Sequence, residues 1–462
     1  MSLYSFYRIS KPSAEKVPGP QVRPVYRRLR NRTFWGATVA YSLFYVCRLA
    51  FNVMKQPLVD EGIFTPGQLG IIGSVMLFAY AFGKFSNGFI ADYCNIKRFM
   101  ATGLFISALI NFLMGALGLL HGWFGLGTLA LLIVFIVLWG LNGWFQSMGA
   151  PPGIISLSRW FPLTRRGTFY SIFSATPYIG KSILYSVLSL VVGWLGWEYG
   201  FVFASVGGLI GALVIVLFVS DTPESKGLPS IQEISGETMQ QTDRMSTREL
   251  QKRVVRHPGI WIIAISSIFV YIAQYGISNW GTLFLQKAKG FSIESAGSII
   301  GISEAAGIAG TVLAGWLSDT VFRGNRVKPV LISGIVCLGA LAVFLFAVGG
   351  YVANLLYLGI FSLAIAVLYC IVAGLMALDI VPRKATGAAL GIVGLSSYIF
   401  AAIQDLVSGF LIQGHTVSPS GAPIADATYN FVPVSVFWLA ACLLAFLVPV
   451  LAWHRLKPAQ RG

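Results

Sequence analysis

Long apolar runs recur along this chain, and several exceed the roughly 18 residues needed to cross a hydrocarbon core. Phe201–Val219 and Ser435–Trp453 are two of them, and the run around Leu129–Gly140, extended in both directions, is a third. Backbone in lipid must satisfy its own hydrogen bonds, which leaves helices or a closed barrel, and barrel strands would alternate in polarity as these runs do not. An all-α membrane protein is therefore expected. A composition of 56% hydrophobic and 11% charged residues also excludes a soluble domain, where about 25% would be charged. Twelve spans are predicted, at 33–54, 68–92, 99–120, 127–149, 167–194, 198–219, 258–286, 294–319, 329–350, 353–381, 385–413 and 432–454.

The net charge of +16 raises the question of nucleic acid, and the positions of the charges answer it. Of 33 Lys and Arg, three fall inside predicted spans: Arg48, Lys84 and Lys181. Both termini and the loops after even-numbered spans hold 27, whereas the odd-numbered loops hold three, Lys55, Lys287 and Lys289. The asymmetry is a topology signal, and it predicts cytoplasmic termini in an inner (cytoplasmic) membrane. No nucleic-acid partner is implied. The polar, basic, Pro-containing stretch up to Arg32 predicts no cleavable signal peptide. The five cysteines show neither a disulfide framework nor metal-ligand spacing, and no metal or cofactor is expected.

One long polar stretch, 221–257, divides the chain near its middle. It suggests a cytoplasmic linker between six-helix halves at 33–220 and 258–454, with a cytoplasmic segment at 1–32 and a tail at 455–462. The halves share landmarks. Gly88-Phe89-Ile90-Ala91-Asp92 followed by Lys97-Arg98 recurs 227 residues later as Gly315-Trp316-Leu317-Ser318-Asp319 followed by Arg323 and Arg326. Pro162-Leu163-Thr164-Arg165-Arg166-Gly167 recurs 220 residues later as Pro382-Arg383-Lys384-Ala385-Thr386-Gly387. Two landmarks in order at near-constant offset indicate parallel repeats, an architecture that places a solute site near the midplane between the halves.

The first landmark resembles the signature loop of the major facilitator superfamily, in which Asp92, Arg98, Asp319 and Arg323 would act in gating. A finer resemblance is to the organophosphate:phosphate antiporters, which include bacterial glycerol-3-phosphate and hexose-phosphate carriers. It is carried by Tyr41–Asn52 (YSLFYVCRLAFN), Ala79–Asp92 (AYAFGKFSNGFIAD), Gly143–Pro152 (GWFQSMGAPP), Asp221–Pro229 (DTPESKGLP) and Ala306–Arg326 (AGIAGTVLAGWLSDTVFRGNR). The resemblance implies a major-facilitator fold and a phosphate site built from an arginine in span 1, an arginine in span 7 and a histidine in span 5. Arg48 matches the first, and a buried guanidinium can hold an oxyanion bidentately. The other two positions depart from the pattern, with Gln274 in place of arginine and Pro177 in place of histidine.

Lys181 lies one helical turn beyond Pro177 and is expected to bring a second cation to the site. The alternative is pairing with Glu304 or Asp405. Lys84 matches a lysine typical of the family, with a structural and a gating role equally open. Asp405 suits either a proton site or a counter-ion to Lys181. Tyr41, Tyr45, Gln146, Tyr178, Tyr271 and Trp280 are the polar and aromatic candidates for contact with a polyol or sugar. The expected activity is alternating-access transport of a small organic anion in exchange for inorganic phosphate, by a monomer. Two other readings stand beside it: a transporter-like sensor of a sugar phosphate, and a proton-coupled carrier of a sugar acid. An enzyme is disfavoured, because no nucleophile–base set and no P-loop occurs.

Overall fold

The structure is a computed structural model and describes residues 3–91, 93–125, 127–162, 169, 172–236, 247–322, 325–380, 386–413 and 429–452. Among these, twelve helices are long and apolar enough to cross a membrane. They are Gly19–Asp60, Pro66–Asn87, Ile96–Phe124, Thr128–Leu157, Thr176–Leu195 and Trp197–Phe218 in the first half. Pro258–Lys287, Ile293–Trp316, Val327–Phe346, Tyr351–Leu375, Ala389–Gln413 and Val432–Ala452 make up the second. They are numbered here as spans 1 to 12. The number and order agree with the apolar runs; the ends do not always.

Span 1 departs most. It is one helix of 42 residues rather than the 22-residue segment at 33–54, and it runs through Pro24 and Pro57 to Asp60. Lys55 is consequently not a loop residue. It is fully buried, and the other two of the smaller set are Lys287, the last residue of the span 7 helix, and Lys289 in the loop that follows. Span 4 breaks at Ser147–Gly149, and a second helix starts at Ala150 on the Pro151–Pro152 pair, whose fixed φ suits a helical first turn. Spans 5 and 10 contain π-helical segments at Leu184–Leu188 and Ile371–Leu375, and a third, Leu317–Val321, directly follows span 8.

The two halves meet through span 2 against span 11, span 5 against span 8, and span 1 against span 7. Small residues make the approach possible. A side chain on Gly301 in span 8 would sit 2.1 Å from Ser186 Oγ of span 5, and one on Gly70 in span 2 would sit 2.9 Å from the Asp405 carbonyl of span 11. At the end carrying the loop between spans 1 and 2, Lys287 pairs with Asp60 and Thr65 Oγ1 bonds Gln413 across the halves. We call this the outer end.

At the opposite end Asp221, the first residue of the predicted linker, gathers three segments. Its carboxylate accepts from Ser10 N (2.8 Å), Ile96 N (3.0 Å) and Arg159 Nη1 (2.6 Å). Among the described residues Arg98 meets no carboxylate. It donates to the Phe6 carbonyl at 2.7 Å and lies over the Phe6 ring, so it secures the short helix Leu3–Tyr7. Asp92 and Arg323 lie outside the described residues, as does the side chain of Asp319.

Candidate functional site

Arg48 sits in the apolar part of span 1 and is 2% exposed. Its Nε donates to Gln146 Oε1 (3.2 Å) and its Nη2 to the Gln146 carbonyl (3.4 Å). That carbonyl is available because the first helix of span 4 ends at Gln146. Gln146 is braced in turn: its Nε2 donates to Ser107 Oγ at 2.6 Å, and Ser107 donates to Asn142 Oδ1. Asn142 and Asn111 both donate to the Cys47 carbonyl at 3.2 Å, which fixes span 1 one residue before the arginine. Gln146 therefore orients the guanidinium rather than facing a solute by itself.

The guanidinium carbon lies 4.5 Å from the Tyr45 ring centre and 4.3 Å from that of Tyr80. Cation–π contact at these distances favours a desolvated arginine. Nη1 remains without a hydrogen-bond partner, and so do the hydroxyls of Tyr80 and Tyr178 and Oε1 of Gln274, all buried. An unmet buried polar group costs about 1–3 kcal/mol, and folded proteins pair the great majority of such groups. Nη1 of Arg48, on a guanidinium that lies against the Tyr80 ring, is the cationic donor among them that a polar solute would complete.

A chain of tyrosines from both halves runs on from Tyr80. Tyr80 packs on Tyr398 at 4.8 Å, and Tyr398 meets Tyr271 at 5.2 Å and Tyr275 at 6.0 Å. Tyr271 and Tyr369 share a hydroxyl contact of 2.9 Å, and Tyr41 stacks on Phe173 and abuts Tyr45. Sequence reasoning found Tyr41, Tyr45 and Tyr271 but missed Tyr80, Tyr275, Tyr369 and Tyr398. Helical spacing offered a signal for two of them: Tyr80 is four residues before Lys84, and Tyr275 four after Tyr271.

Lys181 does not bring a free second cation. Its Nζ donates to both Glu304 oxygens (3.1 and 3.4 Å) and to Ser278 Oγ (3.2 Å), and the Lys181 and Glu304 side chains are 7% and 8% exposed. The Glu304 alternative is the one realised. Asp405 in turn is not the counter-ion of Lys181. Its Oδ1 accepts from Lys55 Nζ (3.1 Å), Asn279 Nδ2 (3.2 Å) and Trp280 Nε1 (2.6 Å). Trp280 is fully buried, with Lys55 Nζ 3.6 Å from its ring centre, which removes it from the solute-contact candidates.

The two pairs are joined. Asn52 Nδ2 bonds Asn279 Oδ1 (3.0 Å) and the Tyr185 hydroxyl (3.3 Å), Tyr185 bonds the Ser278 carbonyl, and Ser278 Oγ bonds Glu304 (3.1 Å). A polar belt thus crosses between the halves from Lys55 to Lys181. Each pair cancels its own charge, leaving Arg48 as a buried cation without a carboxylate among the described residues. The part-buried Lys84 is linked to Arg48 through two rings. Its Nζ is 4.8 Å from the Tyr398 ring centre, and Tyr398 packs on the Tyr80 that carries Arg48.

The family profile described as Major Facilitator Superfamily matches residues 34–404. The chain is 32% identical over 459 residues to a glycerol-3-phosphate transporter of Bacillus subtilis, covering 97% of this chain and 98% of that protein. It is 29% identical over 411 residues to a probable hexose phosphate transport protein of Chlamydia muridarum (85% and 87% covered). Against the membrane sensor protein UhpC of Escherichia coli it is 28% identical over 388 residues (82% and 85%). Among solved structures, a bacterial homolog of the human lysosomal transporter Spinster, inward-facing and unoccupied, superposes with a TM-score of 0.67 at 16% identity, covering 93% of this chain and 96% of that one. The nucleoside transporter NupG superposes with a TM-score of 0.64 at 15% identity, covering 93% and 100%.

Proposed function

As a member of the Major Facilitator Superfamily, in its organophosphate:phosphate antiporter branch, this chain is a multi-pass membrane transporter and not an enzyme, and we propose that it exchanges a small phosphorylated organic anion for inorganic phosphate. The observation that carries the substrate class is Arg48, a buried guanidinium held along one edge by Gln146 with Nη1 left over. A phosphate oxygen accepts from such a group in a charge-assisted bond. Lys84, rather than Lys181, is the second cation of this reading, so the charge for a dianion comes from spans 1 and 2. Tyr45, Tyr80, Tyr178, Tyr271 and Gln274 are the donors and acceptors for the hydroxyls of a glycerol or sugar moiety. Inter-half ties at the outer end support a conformation that opens toward the opposite side, and alternation would part these ties as the halves rock.

The test is exchange in proteoliposomes loaded with inorganic phosphate. Labelled glycerol-3-phosphate or glucose-6-phosphate outside should accumulate several-fold above phosphate-free vesicles. Binding of these esters without any accumulation would convert the reading to a sensor, as the relative named membrane sensor protein UhpC is. Accumulation of sugar acids alone would remove phosphate from it.

We place the chain as a monomer in the inner membrane, with two six-helix halves, a linker at 221–257, and both termini cytoplasmic. The basic residues at the Asp221 end support this orientation. A cysteine introduced in the linker should resist an impermeant maleimide in intact cells and react after lysis. Labelling in intact cells would invert the topology.

A further inference from the structure

Span 1 is helical from Gly19, although its apolar part begins only near residue 33. About 14 residues of helix, roughly 20 Å at 1.5 Å per residue, therefore project from the apolar part. This projection carries five arginines, and two of them are committed. Arg32 donates to the Leu217 carbonyl at the end of span 6 and lies over Phe218. Arg30 lies over the rings of Tyr26, Phe161 and Phe169. The other three, Arg23, Arg27 and Arg28, are exposed and have no hydrogen-bond or ion-pair partner among the described residues. With Pro24 and Asn31 they line a shallow recess of about 440 Å³.

An exposed stripe runs from the recess along one helical face toward the apolar part of span 1. Pro24, Arg28, Asn31, Trp35 and Val39 follow one another at three- and four-residue steps, and all five are exposed. Trp35 is 55% and Val39 48% exposed, while their neighbours Phe34, Gly36, Ala37 and Thr38 are buried. Gly36 lets span 6 close against this helix: a side chain there would come within 2.7 Å of Phe218 Cβ. Phe218 and Leu217 are themselves exposed, so the stripe borders an apolar shoulder. Cations lie outermost, an indole lies at the level where Trp favours the interface, and aliphatic surface lies beneath. The same order of chemistry, from head to tail, describes a phospholipid with an anionic headgroup.

We propose that this face of span 1 is a binding site for one anionic phospholipid, its phosphodiester held by Arg23, Arg27 and Arg28 and an acyl chain laid along Trp35 and Val39. Guanidinium forks suit a phosphodiester, and clustered cations at the membrane boundary attract anionic headgroups. The lipid would brace the helix that also carries Arg48 and Lys55. The assignment is independent of the solute carried, and it is tested without transport.

The full chain, purified and delipidated, is titrated with phosphatidylglycerol or phosphatidylcholine, with lipid retention read by native mass spectrometry and the unfolding midpoint read in parallel. Phosphatidylglycerol should be retained and should raise the midpoint; phosphatidylcholine should do neither. Soluble glycerol-3-phosphate at equal concentration should not displace the lipid, which separates this seat from a free-phosphate site. The triple change Arg23→Gln, Arg27→Gln, Arg28→Gln should weaken retention about tenfold or more. The charge-matched change Lys252→Gln, Arg253→Gln, Arg256→Gln, on exposed cations elsewhere, should leave it unaltered. All six positions are on the surface, so folding is preserved. Equal losses in the two triple variants, wild-type retention in the first, or no preference for the anionic lipid would each overturn the site.

Discussion

Arg48→Lys is expected to lower exchange of glycerol-3-phosphate for phosphate by at least about tenfold, although the charge is conserved. The reason lies in the geometry around the guanidinium. Its Nε and Nη2 edge is taken by Gln146 and its faces by Tyr45 and Tyr80, and Nη1 is left for a ligand. A lysine has one nitrogen where the arginine has three. It can satisfy Gln146 or reach the ligand, and it offers no planar surface to stack between two rings. Loss of one charge-assisted hydrogen bond is worth about 1.5–3 kcal/mol, and each 1.4 kcal/mol is tenfold. Lys84→Gln should be the milder change, because Lys84 is part-buried and meets Tyr398 through a ring contact. Exchange measured in phosphate-loaded proteoliposomes decides the matter. An Arg48→Lys protein with wild-type rates would reduce Arg48 to a brace for span 4.

Much of this arrangement was legible beforehand, for a reason specific to membranes. An apolar run of twenty residues has few fates, so spans, halves and the basic side followed directly from composition and spacing. Arg48 stood out because an intramembrane arginine is costly and is therefore kept for a purpose. The polar belt was not legible. Lys55 and Asp405 are 350 residues apart, and nothing local says which carboxylate a cation meets. Lys55 falls just past the predicted end of span 1 at 54, yet the helix runs on to Asp60 and buries it against Asp405 and Trp280. For Lys181 the sequence leaves a free cation and an ion pair both open, and its partner Glu304 comes from the other half, which makes it a neutral bridge. Among the tyrosines, aromatic residues make up 14% of the chain, so position on a span alone could not separate Tyr80 or Tyr398 from helix packing.

The second large effect is expected at the Lys55–Asp405 pair, whose side chains are 0% and 1% exposed. Removing one member leaves the other charged and buried, which costs about 3–5 kcal/mol in comparable pairs, whereas replacing both with apolar groups is often nearly neutral. Lys55→Met and Asp405→Leu should each lower the unfolding midpoint clearly, and the double variant should recover most of the loss. The pair also spans the two halves, so it stabilises this conformation relative to one opened at the outer end. Asn279 and Trp280 add their donors to the same Asp405 oxygen and strengthen that bias. In the double variant, stability returns but the tie does not. The outer seam should then open more often. Ser74, whose hydroxyl donates to the Ala402 carbonyl of the other half at 2.8 Å, reports on it. A Ser74→Cys probe should react faster with an impermeant maleimide in the double variant than in the otherwise native chain. Single variants as stable as wild type would deny that the pair is ionised. A recovered double variant with unchanged labelling would make the pair a packing element rather than a latch.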